Sequence, residues 1–219
     1  MQSLTRERRC GNRHAYHHKH RRTGRSNISS PARQLLDGLI EQRVHSGRQR
    51  GDLLDMLLQA RYDDGTPMPR QQLVDELMIL FTAGHETTAN ALSFAVFLLA
   101  RHPEKQEKLY QEVQDLDFAE EDTLQVIRSL EYTQQCIEEA MRLYPPVYVI
   151  DRVSLSEENV NGHVFPEGTT WLLSLYELHR SPELWEDPEA FVPERFEPER
   201  KKAYTGFYFP FGAGPRMCI

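Results

Sequence analysis

Phe211-Gly212-Ala213-Gly214-Pro215-Arg216-Met217-Cys218-Ile219 decides how the rest of this sequence is read. One cysteine follows a glycine-rich turn, with an arginine two residues before it. The aromatic run Phe207-Tyr208-Phe209-Pro210-Phe211 leads into it. Gly212 and Gly214 permit positive φ and a close backbone approach to a flat ligand. Pro215 stiffens the turn and removes one donor. The loop's N–H groups and Arg216 would both favour a thiolate on Cys218. A single thiolate suits a soft metal. Taken alone, the stretch reads equally well as a surface Gly-Pro turn with an incidental cysteine.

Working outward, composition excludes several classes. The chain has 219 residues, 39% of them apolar, enough for a core. A net charge of −7 argues against a general nucleic-acid partner. Cys10, Cys136 and Cys218 are odd in number and far apart, which argues against a disulfide framework and for reduced, intracellular chemistry. The longest apolar run, Ala91 to Ala100, is too short for a transmembrane segment. The N-terminus lacks the apolar centre of a signal peptide.

A second informative stretch lies inside a helix expected over about 70–101. Leu73, Leu77, Leu80 and Phe81 form one stripe, and Ala91 to Leu99 are nearly all apolar, as in a helix buried on all sides. At its centre, Ala83-Gly84-His85-Glu86-Thr87-Thr88 places a glycine, a charge and two β-branched hydroxyls where helix formers belong. A broken local rule within a strong helix marks a place to look for function. Thr87 can bond a backbone carbonyl and open a groove there. A capped break between two shorter helices is the other reading.

The remaining chain is helical before this stretch and mixed after it. Residues 1–29, basic and histidine-rich, read as a disordered leader, with a metal or nucleic-acid tail as the sharper alternative. Ser30-Pro31 starts a helix carrying Leu35, Leu36, Leu39, Ile40 and Val44, and Asp52 caps another. After His102-Pro103 comes a helix to Gln114 with Glu104 and Lys108 as an i,i+4 pair. An acidic linker, Asp115 to Asp122, and a short helix precede one from about Leu130 to Tyr144. There Ile137, Ala140, Met141 and Tyr144 face inward and Cys136 is a small buried side chain. Glu139 and Arg142 share a face, a spacing that by itself says little. Val147, Val149 and Val153 alternate, Val160 to Val164 reads as a hairpin around Asn161-Gly162, and Thr169 to Leu175 as a strand. Ser181 to Thr205 shows little periodicity.

Ala83-Gly84-x-Glu86-Thr87-Thr88, Glu139-x-x-Arg142, Pro193-Glu194-Arg195-Phe196 and Phe211-x-x-Gly214-x-Arg216-x-Cys218 together, in this order along the chain, resemble the cytochrome P-450 family. The resemblance implies a mainly α (α+β) fold with a small β region, built on the long central helix, over residues 30–219 as part of the domain. It implies heme b with Cys218 as the axial iron ligand. Phe211, Gly214, Arg216 and Arg152 would line or hold the cofactor, the two arginines at its propionates. Ala83 and Gly84 would leave room for O2. Glu86 and Thr87 would be catalytic, Thr87 by hydrogen bonding at the oxygen and Glu86 by relaying protons with water. Glu139, Arg142 and Arg195 would form a structural clamp rather than a catalytic group. Electrons from NAD(P)H would arrive through a separate reductase or ferredoxin, since no flavin or nicotinamide fingerprint is present. The reaction expected is insertion of one oxygen atom into a small, apolar organic substrate, in the cytoplasm or at the cytoplasmic face of a membrane. A peroxide-rearranging relative and a non-catalytic fragment are the alternatives. The family's pattern continues with a glycine and a helix where this sequence stops, and its members are longer, so the chain is expected to bind heme poorly by itself.

Overall fold

A computed structural model describes residues 31–114, 116 and 123–218. The leader, the Ser30 cap and nearly all of the acidic linker lie outside the described residues. Contacts divide the chain into two compact units, one ending at Val74 and one from Asp75 onward.

In the first unit, helix α1 (Pro31–Ser46) buries Leu36 and Ile40, while Leu35, Leu39 and Val44 are exposed. Only one edge of the stripe expected from the sequence is used. Asp52 caps α2 (Leu53–Gln59), its side chain accepting from the Asp55 N–H, which satisfies one of the helix's free donors. Arg43 ties the two helices together, bonding Asp52 at 2.7 Å and Asp55 at 2.5 Å. These bonds raise the Arg43 pKa and hold Asp52 down at about 2.

Helix α3 (Arg70–Arg101) has the bounds read from the sequence. Its expected burial on all sides is not observed. Leu92, Phe94, Val96 and Phe97 are exposed, and only Ala95 and Leu98 of that half enter the core. Among the described residues, the neighbours cover one edge of this half alone. Helix α4 (Pro103–Val113) follows. Here Lys108 reaches Glu194 at 3.0 Å in place of the expected partner Glu104. A contact 86 positions away in sequence wins over the local one, because Glu194 is held between Lys105 and Lys108.

After α5 (Thr123–Ser129), helix α6 (Glu131–Leu143) anchors the second unit. Glu112 of α4 caps it, its carboxylate accepting from the N–H groups of Tyr132 and Thr133 at 2.6 and 2.8 Å. An anion there also meets the positive end of the helix dipole. The core consists of Ala95, Leu98, Tyr132, Cys136, Ala140, Leu143 and Phe191, with Tyr144 packed against it. Cys136 is buried as expected, but Ile137 is 36% exposed. Of the residues expected inward, Ala140 is buried and Tyr144 packs against the core, while the face turns further toward Cys136, Glu139 and Leu143.

The β region is two small antiparallel sheets. Strand β1 (Val149–Val153) pairs with β4 (Thr170–Ser174), Arg152 opposite Trp171. Strand β2 (Glu158–Val160) pairs with β3 (His163–Phe165). Their turn holds Asn161 at φ 51° and Gly162 at φ 84°, the double positive φ that an Asn-Gly hairpin turn requires. Two four-residue helices, α7 (Leu175–Leu178) and α8 (Pro198–Lys201), flank the long aperiodic coil.

That coil is not loose. Trp185, which is 1% exposed, stacks on Tyr204 at 4.6 Å and meets Phe207 edge-on at 5.2 Å. Phe196 packs on Tyr208 at 4.7 Å. Aromatic pairs in such geometries add about 0.5–1.5 kcal/mol each beyond area burial. This cluster carries the chain from the coil to the Phe207–Cys218 segment.

Candidate active site

Glu139 and Arg142 are both fully buried, with 0% of either side chain exposed. Arg142 Nε and Nη2 donate to the two carboxylate oxygens of Glu139 at 2.7 and 2.8 Å, a two-pronged pair. Its remaining donors reach three backbone carbonyls of the coil, those of His179 and Pro188 at 2.7 Å and Ala190 at 3.0 Å. All five guanidinium donors are thus satisfied, a geometry a lysine cannot reproduce. Glu139 also accepts from the Val192 N–H at 2.9 Å. Arg195 Nε lies 3.4 Å from Glu139 Oε1, within ion-pair range but not aligned for a hydrogen bond, and is left without an acceptor. Its Nη2 donates instead to the Asp187 carbonyl at 2.9 Å. The three residues expected as a cluster meet, and every bond they make beyond the cluster is to backbone. A charge pair whose guanidinium holds backbone carbonyls and whose carboxylate holds a backbone N–H acts as a clamp on the coil.

The segment that leads into the glycine-rich loop is tied to the same helix. The Tyr208 hydroxyl donates to the Glu138 carbonyl of α6 at 2.9 Å. Burial first, then Glu138 and Glu139, hold that phenol protonated. Beyond it, the Gly212 N–H donates to the Phe209 carbonyl and the Cys218 N–H to the Phe211 carbonyl, both at 3.0 Å. Gly212 and Gly214 have φ of 75° and 77°, values that would strain any side-chain-bearing residue. Gly214–Arg216 forms one tight turn. Cys218 is a free thiol at the surface, and Phe211, whose carbonyl accepts from the Cys218 N–H, is exposed. The side chain of Arg216 lies outside what is described.

The other expected residues lie elsewhere in the second unit. Ala83, Gly84 and Glu86 are on the exposed surface of α3, and Thr87 is partly covered. The Thr87 hydroxyl donates to the Ala83 carbonyl at 2.5 Å, the carbonyl bond anticipated from the sequence. Met78, Ile79, Thr82, Ala83, Glu86 and Thr87 line an open depression of about 400 Å³ on this helix. No Cβ placed at Gly84 would meet another atom within 4 Å. Arg152 is exposed on β1, its guanidinium donating to the Asp151 carbonyl at 2.7 Å.

Sequence reading passed over His179 and Trp185. His179 is fully buried and accepts the Phe209 N–H on Nε2 at 3.1 Å. Burial, and then Arg142 and Arg180, pull its pKa down to about 4. No periodicity marks either residue, and only their low frequency in a charged coil could have drawn the eye.

The donor set fits a heme. Among the described residues no three histidine, cysteine or acidic side chains converge on a point, so a bare ion has no cage here. A macrocycle that brings its own nitrogens needs one protein sulfur ligand, and Cys218 offers an exposed, unpaired sulfur.

The family model for Cytochrome P-450 matches residues 15–219. The match begins inside the leader that the sequence reading set apart. The chain is 39% identical to cyclooctat-9-en-7-ol 5-monooxygenase of Streptomyces melanosporofaciens, over 85% of this chain and 41% of that protein. It is 37% identical to leukotriene-B4 omega-hydroxylase 3 of Mus musculus, over 85% of this chain and 36% of that one. The structure of retinoic acid bound cyanobacterial CYP120A1 superposes with a TM-score of 0.78 at 33% identity, over 85% of this chain and 43% of that one. The chain spans about two-fifths of the length of these curated relatives. It belongs to the cytochrome P-450 family.

Proposed function

We propose that the chain forms the cysteine-bearing part of a heme-thiolate monooxygenase, over residues 30–219, with residues 1–29 as a leader. The observation that carries this is the free, exposed Cys218 thiol in a loop shaped by two positive-φ glycines, whose leading segment is bonded to α6 through Tyr208. Cys218 would hold the iron of heme b, which supplies the oxidising chemistry when bound. Arg216 and Arg152 are the guanidinium groups for its propionates, with Phe211 and Gly214 lining its face. Ala83 and Gly84 leave space for O2. Thr87 and Glu86 border one depression, where the Thr87 hydroxyl oxygen would take part in a hydrogen bond at the oxygen and Glu86, with water, would deliver protons. Electrons reach the site from NAD(P)H through a reductase or ferredoxin. The substrate is a small apolar molecule into which one oxygen atom is inserted.

Among the described residues no helix is long and apolar enough to cross a membrane. The cytoplasm or the cytoplasmic face of a membrane is the proposed location. The exposure of Phe94, Val96 and Phe97 on α3 favours a second reading, in which this chain alone holds heme weakly and turns over nothing.

One measurement separates the two: the carbon monoxide difference spectrum of the reduced, heme-supplemented chain. A Soret band shifted far to the red, lost in Cys218→Ser, supports the thiolate assignment. A band typical of nitrogen ligation, or none, removes it for this chain.

A further inference from the structure

We infer that His179 is the positioning residue that sets where the Phe209–Cys218 segment leaves the core, its imidazole Nε2 holding the backbone N–H of Phe209. What that segment is for rests on the heme-thiolate reading; that His179 places it does not.

The hydrogen bond fixes the chemistry of the ring. A backbone N–H can only donate, so Nε2, 3.1 Å from the Phe209 nitrogen, is the unprotonated nitrogen. The proton of the neutral ring is then on Nδ1, which is buried and faces the backbone of Arg142 on α6. One ring nitrogen therefore serves the Phe209 N–H while the other is turned to the helix that carries the Glu139–Arg142 pair.

The ring is also held well enough to act as a reference point. It lies between Tyr208, at 5.3 Å, and the edge of Trp185, at 6.3 Å. Its own main chain is fixed twice, the N–H donating to the Leu175 carbonyl at 2.9 Å and the carbonyl accepting from Arg142 Nη1 at 2.7 Å. The position of Arg142 on α6 is thereby transmitted through one residue to Phe209. From there three backbone bonds carry it on: Gly212 to Phe209 and Cys218 to Phe211 at 3.0 Å, and Met217 to Gly214 at 3.1 Å. Beside the separate tie of Tyr208 to the Glu138 carbonyl, His179 is the side chain in this series that passes the position of Arg142 to the Phe209 backbone. Its depressed basicity keeps Nε2 available as an acceptor at neutral pH.

Two substitutions separate acceptor placement from packing. In His179→Gln the side-chain oxygen reaches the Nε2 position, whereas in His179→Asn it reaches only the Nδ1 position. Amide hydrogen exchange is measured on the full chain without heme, with the Val192 N–H, bonded to Glu139, as a reference. The Phe209 amide is expected to exchange about tenfold faster, relative to Val192, in His179→Asn than in His179→Gln. His179→Gln should stay within about threefold of the unsubstituted chain. Equal Phe209 exchange in the two variants, for whatever cause, overturns the inference.

The carbon monoxide spectrum of the same three proteins with heme gives a second readout. The red-shifted fraction should fall in His179→Asn and be kept in His179→Gln, and an equal fraction in both counts against the inference. If even the unsubstituted chain shows no such band, the heme assignment of Cys218 fails, while the exchange ratio still decides the role of His179.

Discussion

Arg142 is the residue that gathers three backbone carbonyls, those of His179, Pro188 and Ala190, at one guanidinium. Truncating it to alanine leaves a carboxylate at 0% exposure and three carbonyls without donors. Breaking a buried pair from one side destabilises by about 3–5 kcal/mol, and urea unfolding of Arg142→Ala should show a loss of that size. Arg142→Lys, with three donors where five are used, should recover less than half of it. A loss under about 1 kcal/mol in the alanine variant would mean the clamp is a surface pair. His179 predicts a pH effect. Its folded pKa is about 4 against about 6.5 when unfolded. Between these values the unfolded chain binds a proton that the folded chain refuses. Stability from this group is therefore complete above pH 6.5 and is lost as the pH falls toward 4, by up to about 3 kcal/mol. Urea midpoints at pH 7 and 4.5 should converge in His179→Gln relative to the unsubstituted chain. The two described cysteines should differ as well. Burial pushes the Cys136 thiol up to about 12, while Cys218 is exposed. A thiol alkylating reagent at neutral pH should modify Cys218 in the folded chain and Cys136 only after unfolding, as read by peptide mass.

Among the elements, α3 was the most legible and also the most misread. Its 32 residues are continuous, so period and stop signals at His102-Pro103 sufficed for its bounds. Its burial depends on what packs against it, which no local pattern encodes. The inward face of α6 was placed only in part for a related reason. Hydropathy favours Ile137 and Met141, but the buried face also carries Glu139, which accepts from the Val192 N–H, and Arg142, which donates to coil carbonyls. The four motifs were legible as a resemblance, and the Glu139–Arg142–Arg195 meeting was anticipated only through it. The His179–Phe209 bond spans 30 positions of aperiodic coil and left no trace in the pattern. Gly84 gives α3 its own prediction. It sits in an exposed helix interior, with no atom close to where a Cβ would stand. Gly84→Ala should stabilise the helix by about 1 kcal/mol, seen as a raised unfolding midpoint. If space for O2 is its function, the same variant should lose turnover in a heme-loaded enzyme, the usual opposition of stability and activity. No gain in stability would show that the depression beside it is already strained.

For the whole molecule, the surface is the salient property. Leu92 and Val96 stand one turn apart on α3 at 54% and 65% exposure, and Leu172 on β4 is at 72%. Apolar surface on this scale promotes association. The purified chain should elute from a sizing column as oligomers and enhance the fluorescence of a hydrophobic dye, and a dye-silent monomer would contradict this. The clamp has a further consequence, in the order of events during translation. Glu139 and Arg142 leave the ribosome before the backbone that will dry them. Val192, which donates to Glu139, follows 53 residues later. At about 5–20 residues per second that interval is roughly 3–10 s. For those seconds α6 carries its two opposite charges in water, and the nascent chain becomes committed only when the coil has emerged and wrapped its carbonyls around the guanidinium.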